Sequence, residues 1–173
     1  QLLLCMMVVT AVHSQDGHPV TPASSKISPG NLTAADWQAD LRFLQQTVHK
    51  DYSFLFKKVT TTAFDAEVEK LYKAMPAMKD HERTAGLARI VSLFKYGHTS
   101  IGLRQSPVMY HVAPVNFYWF PDGLYAEGAD KKYASIVGAK LVKVEGMPVM
   151  QALEAIKPLV PSENDQYFKA YGL

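Results

Sequence analysis

Cysteine occurs once in the 173 residues. No intrachain disulfide framework and no Cys-based zinc site can therefore form. An excess of charge of one sign is also missing: 18 Lys+Arg stand against 16 Asp+Glu, a formal +2 at pH 7. A nucleic-acid surface needs a basic stripe, and none is visible. The glycines are scattered, and none stands in the strand-to-helix G-x-x-x-x-G-K pattern that cradles phosphate. The six histidines include no H-x-x-x-H or H-E-x-x-H pair, and no serine sits in a G-x-S-x-G elbow. No cofactor, no metal and no nucleic-acid partner is expected. What is present is ordinary globular usage, with 48% hydrophobic and 20% charged residues, which excludes wholesale disorder.

Gln1 to Val12, QLLLCMMVVTAV, is apolar and uncharged. It is shorter than the roughly 20 residues that span a bilayer. It fits the h-region of a secretory signal whose basic start is absent, with cleavage after Ser14. A buried strand or helix start is the structural alternative. Gln15 to Gly30 is rich in Pro, Ser and Gly without period and reads as a flexible tether. The expected division is thus 1–14 signal remnant, 15–30 linker, 31–97 helical domain and 98–173 strand-rich domain. The expected compartment is outside the cytoplasm: periplasm, cell envelope or extracellular space. Because the chain starts with Gln1 rather than Met, it is read as a piece of a longer frame. Asn31-Leu32-Thr33 matches a glycosylation acceptor, but Thr33 with Asp36 reads better as a capping-box helix start.

Three amphipathic helices are predicted. Trp37, Leu41, Leu44 and Val48 recur at spacings of 4, 3 and 4 on the first, which ends near Asp51. The aromatic stretch Tyr52 to Phe56 follows as an extended or turned segment packed on the helices. Phe64, Val68, Leu71 and Met75 repeat the spacing on the second, capped by one of Thr60 to Thr62 and ended by Pro76. Asp80 caps the third, with Leu87, Ile90, Val91 and Phe94 on its stripe and Gly97 as its stop. Three such stripes close a small helical bundle.

After His98 the texture becomes strand-like. Thr99 to Leu103 alternates, and His111 to Phe120 is a β-branched and aromatic run. Pro121-Asp122-Gly123 is a turn returning into Leu124-Tyr125-Ala126. Gly138 to Val144 reads as one more strand, closed by Glu145-Gly146. Pro148 opens a short helix with Val149, Leu153 and Ile156, and a final helix starts at Ser162 or Asn164. The fold class is α+β.

His98 is the candidate site residue. It stands in Tyr96-Gly97-His98-Thr99, where a predicted helix passes into a predicted strand, a place that can aim a side chain into a cleft. A histidine that merely bonds the turn is the plain alternative. Ser100 lies two residues on, but no orienting acid is evident, so no complete catalytic set is visible. His49 and His81 lie at helix ends, where a surface role suffices. Phe117, Tyr118 and Trp119 alternate faces, so some of them must be exposed or covered by another unit.

Three segments in order, LTAADWQADLRFLQQTVHKDYSFLF, FKYGHTSIGL and GAKLVKVEGMPVMQALEAI, resemble the amino-terminal part of bacterial tail-specific (C-terminal-processing) serine peptidases, relatives of the tricorn core. The resemblance covers most of Leu32 to Leu173. It implies a helical domain followed by a PDZ-like domain, with the peptidase domain after them and absent from this chain. It implies His98 as general base, a polypeptide as substrate, and a fragment inactive by itself. The family commonly has Asp before the Gly-His, where this chain has Tyr96, which leaves the Ser-Lys and Ser-His-acid variants both open. Leu141, Val144, Val149 and Leu153 are expected to form the PDZ-like core. The alternative function is an exported non-catalytic module that binds peptide or glycan through Phe117, Tyr118 and Trp119.

Overall fold

In the computed structural model the described residues are 32–101 and 113–172. The expected signal remnant and tether lie outside them, as do Asn31 of the glycosylation acceptor pattern, His111 and Gly102-Leu103. The described chain is α+β, with five α-helices, a three-stranded antiparallel sheet and a separate two-stranded hairpin among these residues.

Helix α1 spans Ala34–Asp51. Thr33 caps it: its hydroxyl accepts from Asp36 N–H at 3.3 Å, and the Asp36 carboxylate accepts from Thr33 N–H at 2.8 Å. This reciprocal pair satisfies two of the donors that any helix start leaves open. Helix α2 spans Thr61–Ala74, and the Thr60 hydroxyl accepts from Ala63 N–H. The buried positions are those of the sequence stripes: Trp37, Leu41, Leu44 and Val48 on α1, then Phe64, Val68 and Leu71 on α2. Met75 is buried too, but it belongs to the 3-10 turn Met75–Ala77, where Pro76 breaks the helical ladder.

Helix α3 spans Asp80–Ser92. Asp80 is its first residue and not its cap: Lys79 holds the cap position, and its N–H donates to Glu82 Oε2 at 2.6 Å. Gly97 is likewise not its stop. The helix ends five residues earlier, and the chain leaves it through Lys95, which takes a left-handed φ of 48°. Leu87, Ile90, Val91 and Phe94 join the residues of α1 and α2 in one core cluster. Phe64 is its centre: its ring lies 5.3 Å from Phe94, 5.5 Å from Phe56 and 5.9 Å from the His49 ring. The aromatic stretch after α1 forms a 3-10 turn, Ser53–Leu55, with Leu55 buried and Phe54 exposed.

Strand β1 spans Val115–Phe120 and β2 spans Gly123–Ala129, joined through Pro121-Asp122. Of the expected run from His111 to Phe120, Ala113 and Pro114 are not strand. A register shift between Asn116 and Phe117 bends β1. After the 3-10 segment Lys131–Ile136, the expected strand Gly138 to Val144 splits in two. Strand β3, Lys140–Leu141, pairs with β2, whereas β4, Lys143–Val144, pairs with β5, Met147–Pro148. The chain changes partner at Val142. Thr99 to Ile101 are not strand either, because Thr99 closes a turn back on Tyr96.

Helix α4 spans Val149–Ile156 and α5 spans Asp165–Tyr171, the latter capped by Asn164 Oδ1 accepting from Tyr167 N–H at 2.8 Å. Of the four expected core residues here, Leu153 is buried and Leu141 and Val149 are half-buried. Val144 is not core: it is 45% exposed, since β4 pairs only with β5 and that hairpin has no sheet beside it. The helical and strand-rich segments meet through the last elements. The Ser92 hydroxyl donates to the Pro158 carbonyl, Gly97 N–H donates to Glu163 Oε1 at 3.0 Å, and the Tyr167 hydroxyl donates to the Gly97 carbonyl at 2.5 Å.

Phe64→Ala is expected to lower unfolding free energy by about 3–5 kcal/mol, the cost of an aromatic-sized core cavity. Phe43→Ala, on the exposed side of α1, should stay within about 0.5 kcal/mol of the parent. Urea titrations of both variants check the contrast.

Candidate functional site

The turn that carries His98 is built by long-range contacts. Tyr167 lies 70 residues away, and its ring fills the space that a side chain at position 97 would occupy, so only glycine fits there. Burial first, then neighbouring Tyr171 and Glu163, raise the Tyr167 pKa, so the hydroxyl keeps its proton and donates to the Gly97 carbonyl. Thr99 completes the turn: its N–H and its hydroxyl both donate to the Tyr96 carbonyl, at 2.9 and 2.6 Å. Between these anchors His98 is exposed, with the Tyr96 ring 5.8 Å from its own. No hydrogen bond or ion pair holds its imidazole among the described residues. Ser100 is exposed on irregular chain and is not placed beside His98 by a strand. The structure thus gives His98 a fixed backbone and a solvent-facing side chain, without a carboxylate or hydroxyl bonded to it.

A histidine bonded to an acid does exist elsewhere, and the sequence reading passed over it. His49 Nε2 lies 2.8 Å from Asp65 Oδ1, across the α1–α2 contact. Gln45 donates to the same oxygen at 2.7 Å. One turn back, Arg42 pairs with Glu69, donates to Gln45 Oε1 and lies 4.2 Å from the Tyr72 ring centre. Burial alone would push the Asp65 carboxyl up. The hydrogen bonds from Gln45 and His49, with the charges of His49 and Arg42, outweigh it and hold the pKa below its ordinary value. The sequence signal was there: Gln45 and His49 are spaced i,i+4 on one helix, Asp65 and Glu69 likewise on the next. His49 also packs on Phe56, 5.1 Å away. The pair clasps the two helices together.

The second surface of interest is the solvent side of the hairpin β1–β2. Register pairs Tyr118 with Tyr125 and Tyr125 with Lys140. Tyr118 and Phe120 rings lie 4.7 Å apart, and Phe120 and Tyr125 rings 5.6 Å apart. Tyr118 is 51% exposed and Phe120 44%. Asp122 ties the rim: its carboxylate accepts from the Tyr125 hydroxyl at 2.5 Å, and its carbonyl accepts from Lys140 Nζ at 2.5 Å. That hydroxyl, above all, holds Asp122 below the usual carboxylate range. Phe117 and Trp119 point to the opposite side, where Trp119 meets Phe168 of α5 at 6.1 Å. Of the three aromatics first considered for binding, only Tyr118 lies on the outer side; Phe120 and Tyr125 complete that face.

Among the described residues no group of three or more His, Cys, Asp or Glu could hold a metal ion, and no helix is long and apolar enough to cross a membrane. The chain matches no protein-family model, no curated protein and no solved structure.

Because the folded pKa of Asp65 is lowered, its contribution is present above the ordinary carboxylate pKa of about 3.9 and is lost as pH falls through the lower, folded value. Asp65→Asn should therefore destabilise the chain at pH 7, by at most about 1 kcal/mol for so solvent-screened a pair. The difference should shrink toward zero near pH 2 in urea melts across that range.

Proposed function

We propose that this chain is the polypeptide-recognition region of an exported serine-type endopeptidase of the tail-specific kind. The helices α1 to α3 serve as its small helical domain, and the strand-rich remainder as its PDZ-like domain. The nucleophile comes from chain outside these 173 residues. The observation that carries the reading is the His98 turn: a backbone fixed from two sides by Glu163 and Tyr167, presenting an exposed imidazole with no acid or serine bonded to it among the described residues. A general base needs its ring within hydrogen-bond reach of a nucleophile. An exposed histidine on a fixed backbone suits one whose partner arrives from another part of the molecule. The order of the three resembling segments gives the same assignment.

A second reading has its own support. The exposed rings of Tyr118 and Phe120, with Tyr125, give a non-catalytic module a surface for an extended peptide or a glycan, since exposed aromatic clusters mark interaction sites.

Residues 1–173 are expected to leave β-casein intact, and cleavage by them overturns the peptidase reading as stated. In the uninterrupted gene product, His98→Ala should lower peptide turnover by about 10²–10⁴-fold. Unchanged turnover removes His98 from the mechanism. A gene product without peptidase activity that binds chitohexaose or an unstructured peptide, and loses this binding in Tyr118→Ser/Phe120→Ser, establishes the second reading instead.

A further inference from the structure

Helices α2 and α3 flank an open cleft of about 350 Å³ that neither reading uses. Two contacts set its direction. Gly86 faces Leu71, so closely that a Cβ on Gly86 would stand 2.5 Å from Leu71 Cδ1. Near the connection, Arg83 Nε donates to the Met75 carbonyl at 2.9 Å. The helices therefore run antiparallel, with Ala74, Met78 and Glu82 at the connected end and Glu67, Lys70 and Arg89 at the open end. The floor between the ends is apolar: Leu71, Ala74, Met78, Ala85, Gly86 and Ile90. Gly86 keeps it smooth by lacking a side chain.

The charges at the two ends differ in how they are satisfied. Glu82 is engaged at the connected end, where its carboxylate accepts from Lys79 N–H. At the open end two cations face one carboxylate. Lys70 reaches Glu67 only at 3.8 Å, and the Arg89 guanidinium has no ion pair or hydrogen bond among the described residues. An apolar trough ending at two exposed cations is complementary to an alkyl chain ending in an anion. The volume sits at the low end of small-ligand sites, which span roughly 300–1,000 Å³. It suits one chain; a stable protein partner would cover roughly 800 Å² of this surface.

We propose that the α2–α3 cleft binds a free single-chain amphiphile with an anionic head, its chain along the Leu71–Gly86 floor and its head at Lys70 and Arg89. The proposal is independent of the peptidase reading and stands or falls without it.

Calorimetric titration of residues 1–173 with dodecanoate, below its micelle concentration, tests the site. Binding is expected at roughly 10–100 μM. Decanoate should bind about tenfold more weakly, as two fewer buried methylenes dictate. Dodecyltrimethylammonium should bind at least tenfold more weakly than dodecanoate, and Arg89→Glu should narrow or reverse that preference. Ala74→Trp, a substitution at an exposed floor position, should fill the trough and weaken dodecanoate at least tenfold. Should that variant fail to fold, methyl spectra of the unaltered chain decide: dodecanoate should shift the Met78 methyl and leave Met147 and Met150 in place. The proposal is overturned by equal affinity for the cationic amphiphile, by undiminished binding in a folded Ala74→Trp, by an unmoved Met78 methyl, or by an absence of binding up to 1 mM. Sedimentation with phosphatidylglycerol vesicles or capture of an amphipathic peptide, without binding of free dodecanoate, also overturns it.

Discussion

Everything else in the described chain depends on the ring contacts at Phe64. Helix α2 reaches α1 through the apolar stripes of both, but it reaches the end of α3 through Phe64 against Phe94 and Phe56. A short helix is marginal alone in water, because its stability comes from burying one face. The three helices thus stand or fall together, and the position of α3 decides where the chain exits toward Lys95. That exit places Gly97 under Tyr167, and so sets the backbone of the His98 turn. A core contact between aromatic rings is in this sense the origin of the candidate site's geometry. The polar clasp of Gln45 and His49 on Asp65 lies beside the same rings, and it adds direction where apolar packing alone has little.

The second constraint is the closure at Gly97. The described segments before and after 102–112 are joined by few polar ties, and three of them involve Ser92 or Gly97. A separation of 66 to 70 residues makes each of these costly to form by chance, since the chain between must be ordered first. Once formed, they hold α5 against the turn, and α5 in turn receives Trp119 from β1. The inner face of the sheet and the His98 turn are therefore coupled through one seven-residue helix, Asp165–Tyr171.

What the sequence made legible was local. The 4-3-4 spacings located the buried faces of α1 and α2 residue by residue; Thr33 was readable as a cap, and Thr60 and Asn164 were narrowed to Thr60, Thr61 or Thr62 and to Ser162 or Asn164, because capping is a contact within three residues. The Pro121-Asp122-Gly123 turn was legible for the same reason. One failure was local, since Lys79 and not Asp80 holds the cap of α3; the others were decided at a distance. Gly97 looked like a helix stop, the commonest use of a glycine after a helical stripe, but its lack of a side chain serves Tyr167, while the helix ends at Ser92 and the left-handed exit residue is Lys95. Gly138 to Val144 looked like one strand, because alternation cannot show that the chain changes partner at Val142. His98 was legible as an exposed turn residue, but not whether anything would meet it. His49 looked like a helix-end histidine because its acid lies on another helix.

The hairpin β1–β2 shows how one pattern yields two opposite environments. Alternation puts Phe117 and Trp119 opposite Ala126 and Leu124, on the side where Leu124 and Ala126 are buried. The same period puts Tyr118, Phe120 and Tyr125 on the other side, in or near solvent. A one-residue slip of register would exchange the two sets and expose the Leu124 side. The outer aromatics are tied by polar bonds that such a slip would break: Tyr125 to Asp122, and Lys140 to the Asp122 carbonyl. The rim of the aromatic face is thus also a register lock. Exposed rings that serve only packing need no ordered polar rim, whereas rings that meet a ligand need to be held in place before it arrives. The bonds around Asp122 thus hold the outer rings and the strand register together.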